Sequence, residues 1–172
     1  DPADAAGAAA AAAADADALP PLTMRVEAVA SLLADLASRD NSGHATPAER
    51  PANRILCFSR FPAVRQRLRE LIGESVRHSE SVPEFQADDE IGILLLSPKS
   101  CGVGLNLMQA NHVVLVEPSF RAATEDQAYA RAARMGQTRT VHVHRFVVAD
   151  TIEARVVEQQ GRASTSIRDI FA

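Results

Sequence analysis

The sequence predicts an α/β fold, a mainly parallel sheet with helices on both faces, and three observations carry that expectation. Short apolar runs with β-branched residues recur along the chain. Stretches with apolar residues at three- and four-residue steps separate them, the stripe of an amphipathic helix. Crossover helices are what return a parallel strand to its own sheet, so this alternation describes a sheet covered on both sides.

The elements follow in order. Residues 1–21 are nearly all Ala, Asp, Gly and Pro and lack Ile and Phe, with Leu19 their only Leu, so they are expected to be a disordered linker ahead of one domain over residues 22–172. From Thr23, residues Val26, Val29, Ala30, Leu33 and Leu36 mark a helix, and Asp40 to Asn53 reads as a loop. Strands are expected at Arg54 to Ser59, Ile91 to Ser97, His112 to Glu117 and Val141 to Val148. Helices are expected at Ala63 to Ile72, Ala123 to Met135 and Thr151 to Gln160. Thr124-Glu125-Asp126-Gln127 has the form of a capping box, Gly136 falls where a left-handed cap would close that helix, and Asp150 with Glu153 opens the next.

Composition excludes several classes. The first residues have no basic start and no leucine-rich centre, unlike a signal peptide, and no stretch is long and apolar enough to form a membrane-spanning helix. Cys57 and Cys101 are far apart with no CxxC pair, which encodes neither a disulfide framework nor a zinc module and fits a reducing compartment, the cytosol or nucleus. A chain that starts with Asp rather than Met is expected to be a piece of something longer. The net charge of −4 argues against a general polyanion binder, but the charge is uneven. Arg54 to Arg77 holds six arginines against two glutamates, and Phe120 to Arg145 five arginines against two acids. These clusters are either a basic binding face or ordinary solvated helix surface.

The chemistry concentrates in two segments. In a helix over Gln127 to Arg134, the side chains of Gln127, Arg131 and Arg134 share one face, and the alanines at 128, 130, 132 and 133 let it pack closely. Adjacent guanidinium groups repel unless they share an anion, and arginine's planar fork grips phosphate oxygens. The plainer alternative is again a solvated face. In the second segment, Leu94 to Leu107, a buried strand ends at Ser97, and Gly102 and Gly104 allow backbone amides to approach a ligand before a short helix near Leu105. Loops at the carboxyl ends of parallel strands are where such folds bind ligands. No dinucleotide fingerprint is present, because the third glycine is missing. His142 and His144 point to one face of their strand without a third ligand nearby, which suits packing or a DNA-facing surface better than a metal. Cys57 reads as a small core residue, and Cys101 as either inert or a reactive thiol at a helix start.

Taken together, SPKSCGVGLNL, ANHVVLVEPSF and EDQAYARAARMGQTRTVHVHRFVVADTIE resemble motifs V and VI, with their flanks, of the Swi/Snf-type helicase-like ATPases. LCFSRF at Leu56 to Phe61 resembles motif IV, and the match covers about four-fifths of the chain. LVEP and VHRFVVADTIE look closest to the branch that includes the SNF-linker-histone-PHD-RING helicase, a ubiquitin ligase. The resemblance implies a second RecA-like lobe, the helicase C-terminal domain, of a nuclear DNA-dependent ATPase in chromatin remodelling or DNA repair. It implies that Arg131 and Arg134 are arginine fingers, that Gln127 supports the nucleotide site, and that Gly102 and Gly104 couple ATP to DNA. Ser97 and Lys99 would touch the DNA backbone, and Gly136 and Gln137 would act mainly in shape. Double-stranded DNA, naked or nucleosomal, an N-terminal RecA-like lobe and a RING module outside this chain are the partners implied; ATP and Mg would be shared with that other lobe, the metal not ligated by this chain.

The sequence departs from the family pattern at several points. Cys101 replaces a glycine, Arg60 stands where glutamine is common, and Ser119-Phe120-Arg121 replaces an acidic-aromatic segment. Between Leu71 and Phe85 there is too little chain for the usual strand, so either that strand is lost or a segment is missing. The sole lysine, Lys99, follows Pro98, which excludes a P-loop, and Asp88-Asp89-Glu90 precedes a strand as a solvated turn instead of closing one as a magnesium site. The chain is therefore expected to be inactive as an ATPase alone. The alternatives are a degenerate, non-catalytic DNA- or protein-binding module, or the motor fragment of a ubiquitin ligase.

Overall fold

The computed structural model describes the backbone of residues 21–39, 53–99 and 105–170 and the side chains of residues 23–39, 53–99 and 105–161. The linker expected over residues 1–21, the loop from Asp40, and Cys101, Gly102 and Gly104 lie wholly or largely outside these. The elements run α1 (Pro21–Ser38), β1 (Ile55–Phe58), α2 (Pro62–Ile72), β2 (His78–Ser79), α3 (Val82–Ala87), β3 (Ile93–Leu96), β4 (His112–Leu115), α4 (Ala122–Ala132), β5 (His142–Arg145) and α5 (Ile152–Ile170).

The strands form one five-stranded sheet in the order β2-β3-β1-β4-β5, and every pairing is parallel. Strand side chains alternate between faces, and here both sets are apolar, the mark of a parallel sheet covered on both sides. Ile55, Cys57, Ile93, Leu95, Val114 and Val116 pack with Val29 and Leu33 of α1 and Val64 and Leu68 of α2. Leu56, Phe58, Leu94, Leu96, Val113 and Leu115 pack on the other side with Phe85 of α3 and Ala128 and Ala132 of α4. Burial also drives the Cys57 thiol pKa well above its usual range, which leaves it an inert core group.

Several local expectations change. The strand thought lost or missing before Phe85 is present as the two residues of β2, on the edge beside β3. It is followed by α3, where Ser81 accepts the Glu84 amide at 3.5 Å and Pro83 sits in the first turn. The turn at Asp88-Asp89-Glu90 is anchored to arginines instead of being merely solvated. Arg54 is buried, donates to Asp89 at 3.0 Å and to the Phe85 and Asp88 carbonyls, and lies 3.9 Å above the Phe85 ring. Arg77 pairs with both Asp88 and Glu90. The helix expected near Leu105 does not form over residues 105–111; a turn there is held by the Met108 amide donating to Asn106 Oδ1. At α5, Asp150 takes a positive φ of 57°, and Thr151 is the residue whose hydroxyl accepts the Glu153 amide.

At the far edge, His112 of β4 faces β5. Its ring stacks on His142 and His144 at centroid separations of 5.0 and 5.3 Å, and its Nδ1 lies 3.0 Å from His144 Nε2. That contact needs one nitrogen with a proton and one without, so it suits neutral rings. Among the described residues no cluster is arranged to hold a metal. Burial, then the neighbouring His144, His142 and Arg139, lower the His112 pKa from 6.5 to about 4. The unfolded chain therefore binds more protons between these values, and the stability held above pH 6.5 is lost as pH falls toward about 4. We expect acid titration over this window to cost roughly 3 kcal/mol, and His112→Asn to flatten that slope in urea melts recorded at several pH values.

Candidate nucleotide and nucleic-acid faces

The site is built around α4. It leaves the carboxyl end of β4 and returns across the sheet, so its 11 residues carry the chain about 16 Å back toward the strands' amino ends. Its start is fixed by Glu125 instead of a capping box. The cap position is Arg121 with no side-chain bond, and Glu125 turns inward, buried, to accept the Ser119 amide at 2.7 Å, Tyr129 Oη at 2.9 Å and Arg145 at 2.6 Å. Gln160 of α5 joins this group through the Ser119 carbonyl at 2.6 Å. Burial and the adjacent Glu125 raise the Tyr129 pKa to about 12.

The helix ends at Ala132, three residues before the expected Met135. Gln127 and Arg131 are one turn apart on it, but Arg134 lies beyond it, so the three do not share one helical face. Only Ala128 and Ala132 of the alanines are buried, while Ala130 and Ala133 are exposed. What places Arg134 is a turn. The Gln137 amide donates to the Arg134 carbonyl at 3.0 Å, and Gly136 between them has a φ of +100°, which suits glycine. A Cβ on Gly136 would also stand 3.5 Å from the Met108 sulfur. Gly136 thus has the left-handed conformation expected, but past the helix end.

Gln137 then locks this turn to the approach of β4. Its Nε2 donates to the carbonyls of Met108 at 2.8 Å, Ala110 at 3.0 Å and Ala132 at 3.1 Å, and its Oε1 accepts the Arg139 amide at 3.0 Å. The Leu107 amide donates to the Arg131 carbonyl at 3.0 Å. Arg131, half-buried, and Arg134, exposed, therefore sit at the amino ends of the strands. Among the described residues no ion pair engages Arg134. Gln127 is exposed on the same helix.

Ser97 and Lys99 occupy the opposite end, just after β3. Ser97 Oγ accepts the Lys99 amide at 3.3 Å, and Lys99 is exposed. Pro98 borders a small pocket at this carboxyl end with Arg60, Glu117, Ser119 and Glu125. Glu117 is buried there, accepts Ser59 Oγ at 3.2 Å and the Arg60 amide, and has its pKa raised by burial against these bonds. The segment from Ser97 to Ala110 connects the two ends of the sheet.

Residues 64–136 match the helicase conserved C-terminal domain. The chain carries a helicase C-terminal lobe of the Swi/Snf type. It is 46% identical over 84 residues, 49% of the chain, to the DNA repair protein RAD5B of Arabidopsis thaliana, covering 7% of that protein. It is 43% identical over 86 residues, 50% of the chain, to the ATP-dependent helicase ULS1 of Saccharomyces cerevisiae, covering 5% of it. Among solved structures, the C-terminal part of the Fun30 ATPase domain superposes with a TM-score of 0.56 at 30% identity, over 62% of this chain and 38% of that one. The chain spans between 5% and 13% of the length of eight such curated relatives.

The basic clusters resolve unequally in this lobe. In the first, Arg54, Arg67, Arg69 and Arg77 pair with Asp89, Glu70, Glu80 and Asp88, and Arg65 donates to the Ser59 carbonyl. That cluster is largely neutralised within the domain, which an excess of arginine over glutamate in one stretch of sequence did not reveal. Sequence reasoning also missed Glu125 and Glu117 as buried acceptors; the apolar run before Glu117 in LVEP was a signal, whereas Glu125, between Thr124 and Asp126, gave none.

If Gln137 is what holds the arginine turn, Gln137→Ala removes the two donor hydrogens shared among three part-buried carbonyls. It should lower stability by about 1–3 kcal/mol in urea denaturation, with Gln137→Glu no better because a carboxylate cannot donate.

Proposed function

We propose that residues 22–172 act as the second RecA-like lobe of an ATP-dependent DNA translocase working in chromatin remodelling or DNA repair in the nucleus, with residues 1–21 as a linker. In this reading Arg131 and Arg134 are the fingers that meet the phosphates of an ATP held, with its Mg, by an N-terminal lobe. The observation that carries it is Arg134: exposed, engaged by no ion pair among the described residues, and fixed in place by the Gly136 turn and the Gln137 amide. A guanidinium carried on a fixed backbone position can neutralise the charge that spreads over the γ-phosphoryl oxygens during transfer. Gln127, exposed a turn before Arg131, supports the same nucleotide.

Ser97 and Lys99 serve as backbone contacts for duplex DNA, with no base readout, as a motor indifferent to sequence requires. Gly102 and Gly104 lie outside the described residues, and their coupling role rests on the motif resemblance alone. A RING module, if one is attached, belongs to another part of the parent protein.

A second reading, a DNA- or protein-binding module without ATP cycling, is favoured by one feature, the reduction of the β2 edge to two residues. The two readings differ in what the rest of the parent must supply, a P-loop lysine and a magnesium-binding acid, which this chain lacks. The purified chain should show no detectable ATP hydrolysis in a phosphate-release assay, with or without DNA. Appreciable turnover abolished by Arg134→Ala would overturn the division of the site between two lobes.

A further inference from the structure

At the carboxyl end of the sheet, two departures from the family pattern meet in space. Arg60 follows β1, Phe120 follows β4, and the Arg60 guanidinium lies 5.5 Å from the Phe61 ring and 5.6 Å from the Phe120 ring. Phe61 and Phe120 are 51% and 69% exposed, and they are the only aromatics among the exposed large apolar side chains of the described residues. The cations beside them are available: Arg121 and Lys99 are exposed, and the pocket bordered by Arg60 and Ser119 also takes in Pro98, the neighbour of Lys99. Of the acids at this end, Glu125 is buried and turned to internal donors, and Glu117, also buried, lies 3.9 Å from Arg60 Nε and offsets part of that charge, whereas among the described residues no ion pair engages Arg121 or Lys99.

Exposed phenylalanines bracketing an arginine, flanked by unpaired cations, combine ring faces for stacking with charge for a phosphate chain. A duplex touched only along its backbone has no use for the rings, because its bases are already stacked on one another. We propose that Phe61, Arg60 and Phe120 form a platform for an unpaired nucleotide, so that this lobe prefers DNA with a gap or a single-stranded segment over intact duplex. This deepens the DNA reading given above and rests on it.

The test compares binding of the chain to a fluorescein-labelled oligo-dT and to a blunt duplex of equal length, by anisotropy at one fixed salt concentration. Phe120→Ala should weaken oligo-dT binding about tenfold, the loss of one stacked base, and leave duplex binding and the melting temperature unchanged. Phe120→Tyr, which keeps a ring face, should bind oligo-dT as the parent does. Equal loss on both DNAs, no loss on either, or wild-type binding that favours the duplex would each overturn the platform while leaving the duplex-contact reading intact. No binding to either DNA would overturn the DNA reading itself and the platform with it.

Discussion

The geometry of the arginine end rests on the side-chain amide of Gln137. Its Nε2 has two hydrogens and three carbonyl partners, from the end of α4 and from the run into β4, so a single group fastens the helix to the sheet at the point where the chain turns. Gly136 supplies the backbone conformation that lets the turn close, a φ of +100° that strains any other residue, while a Cβ there would only come into ordinary contact with the Met108 thioether. Arg131 and Arg134 flank this fastening. Their side chains are long and flexible, yet their backbone positions are fixed relative to the core, which is what a group meeting a phosphate on another lobe requires.

The sheet separates two chemistries. Arginines cluster at the amino ends of the strands; Ser97, Lys99 and the Arg60 and Phe120 loops cluster at the carboxyl ends. The run of residues 105–110 into β4 passes Gln137, which bonds the Met108 and Ala110 carbonyls. The charge accounting is selective as well. Arginines in and around α2 are absorbed by nearby acids, whereas Arg121 and Arg134 are left open. A net charge of −4 is thus compatible with a DNA-facing surface.

Much of the fold was legible because its signals are local. The three buried strands β1, β3 and β4 show as short runs of β-branched and aliphatic residues, and α1 and α2 show as stripes of period near 3.6. β2 was not legible: two residues, His78 and Ser79, have no pattern of their own and are strand only because β3 lies beside them. The end of α4 was missed for a similar reason. Nothing in ARAARMG opposes helix until Gly136, and it is the tertiary pull of Gln137 on Met108 and Ala110 that stops it at Ala132. The capping box failed because the helix starts at Ala122 with Arg121 at the cap, which leaves Thr124 inside it, while Glu125 turns inward to Tyr129, one turn on, and to Arg145, which no local pattern signals. In the candidate site, spacing drew attention to Arg131 and Arg134 but placed them on a helical face that does not form, Gln137 was signalled only by the motif resemblance, and the meeting of Arg60 with Phe120 was not legible, since they are 60 residues apart and only the register of β1 against β4 unites them.

In the proposed function, the arginines act on a nucleotide bound by a different lobe. DNA-stimulated ATP hydrolysis by a protein containing both lobes, measured beside ATP affinity with Arg134→Ala, tests it most directly. The account predicts a fall in kcat of about a thousandfold or more, with ATP affinity changed only slightly. An unchanged kcat in that variant would contradict it.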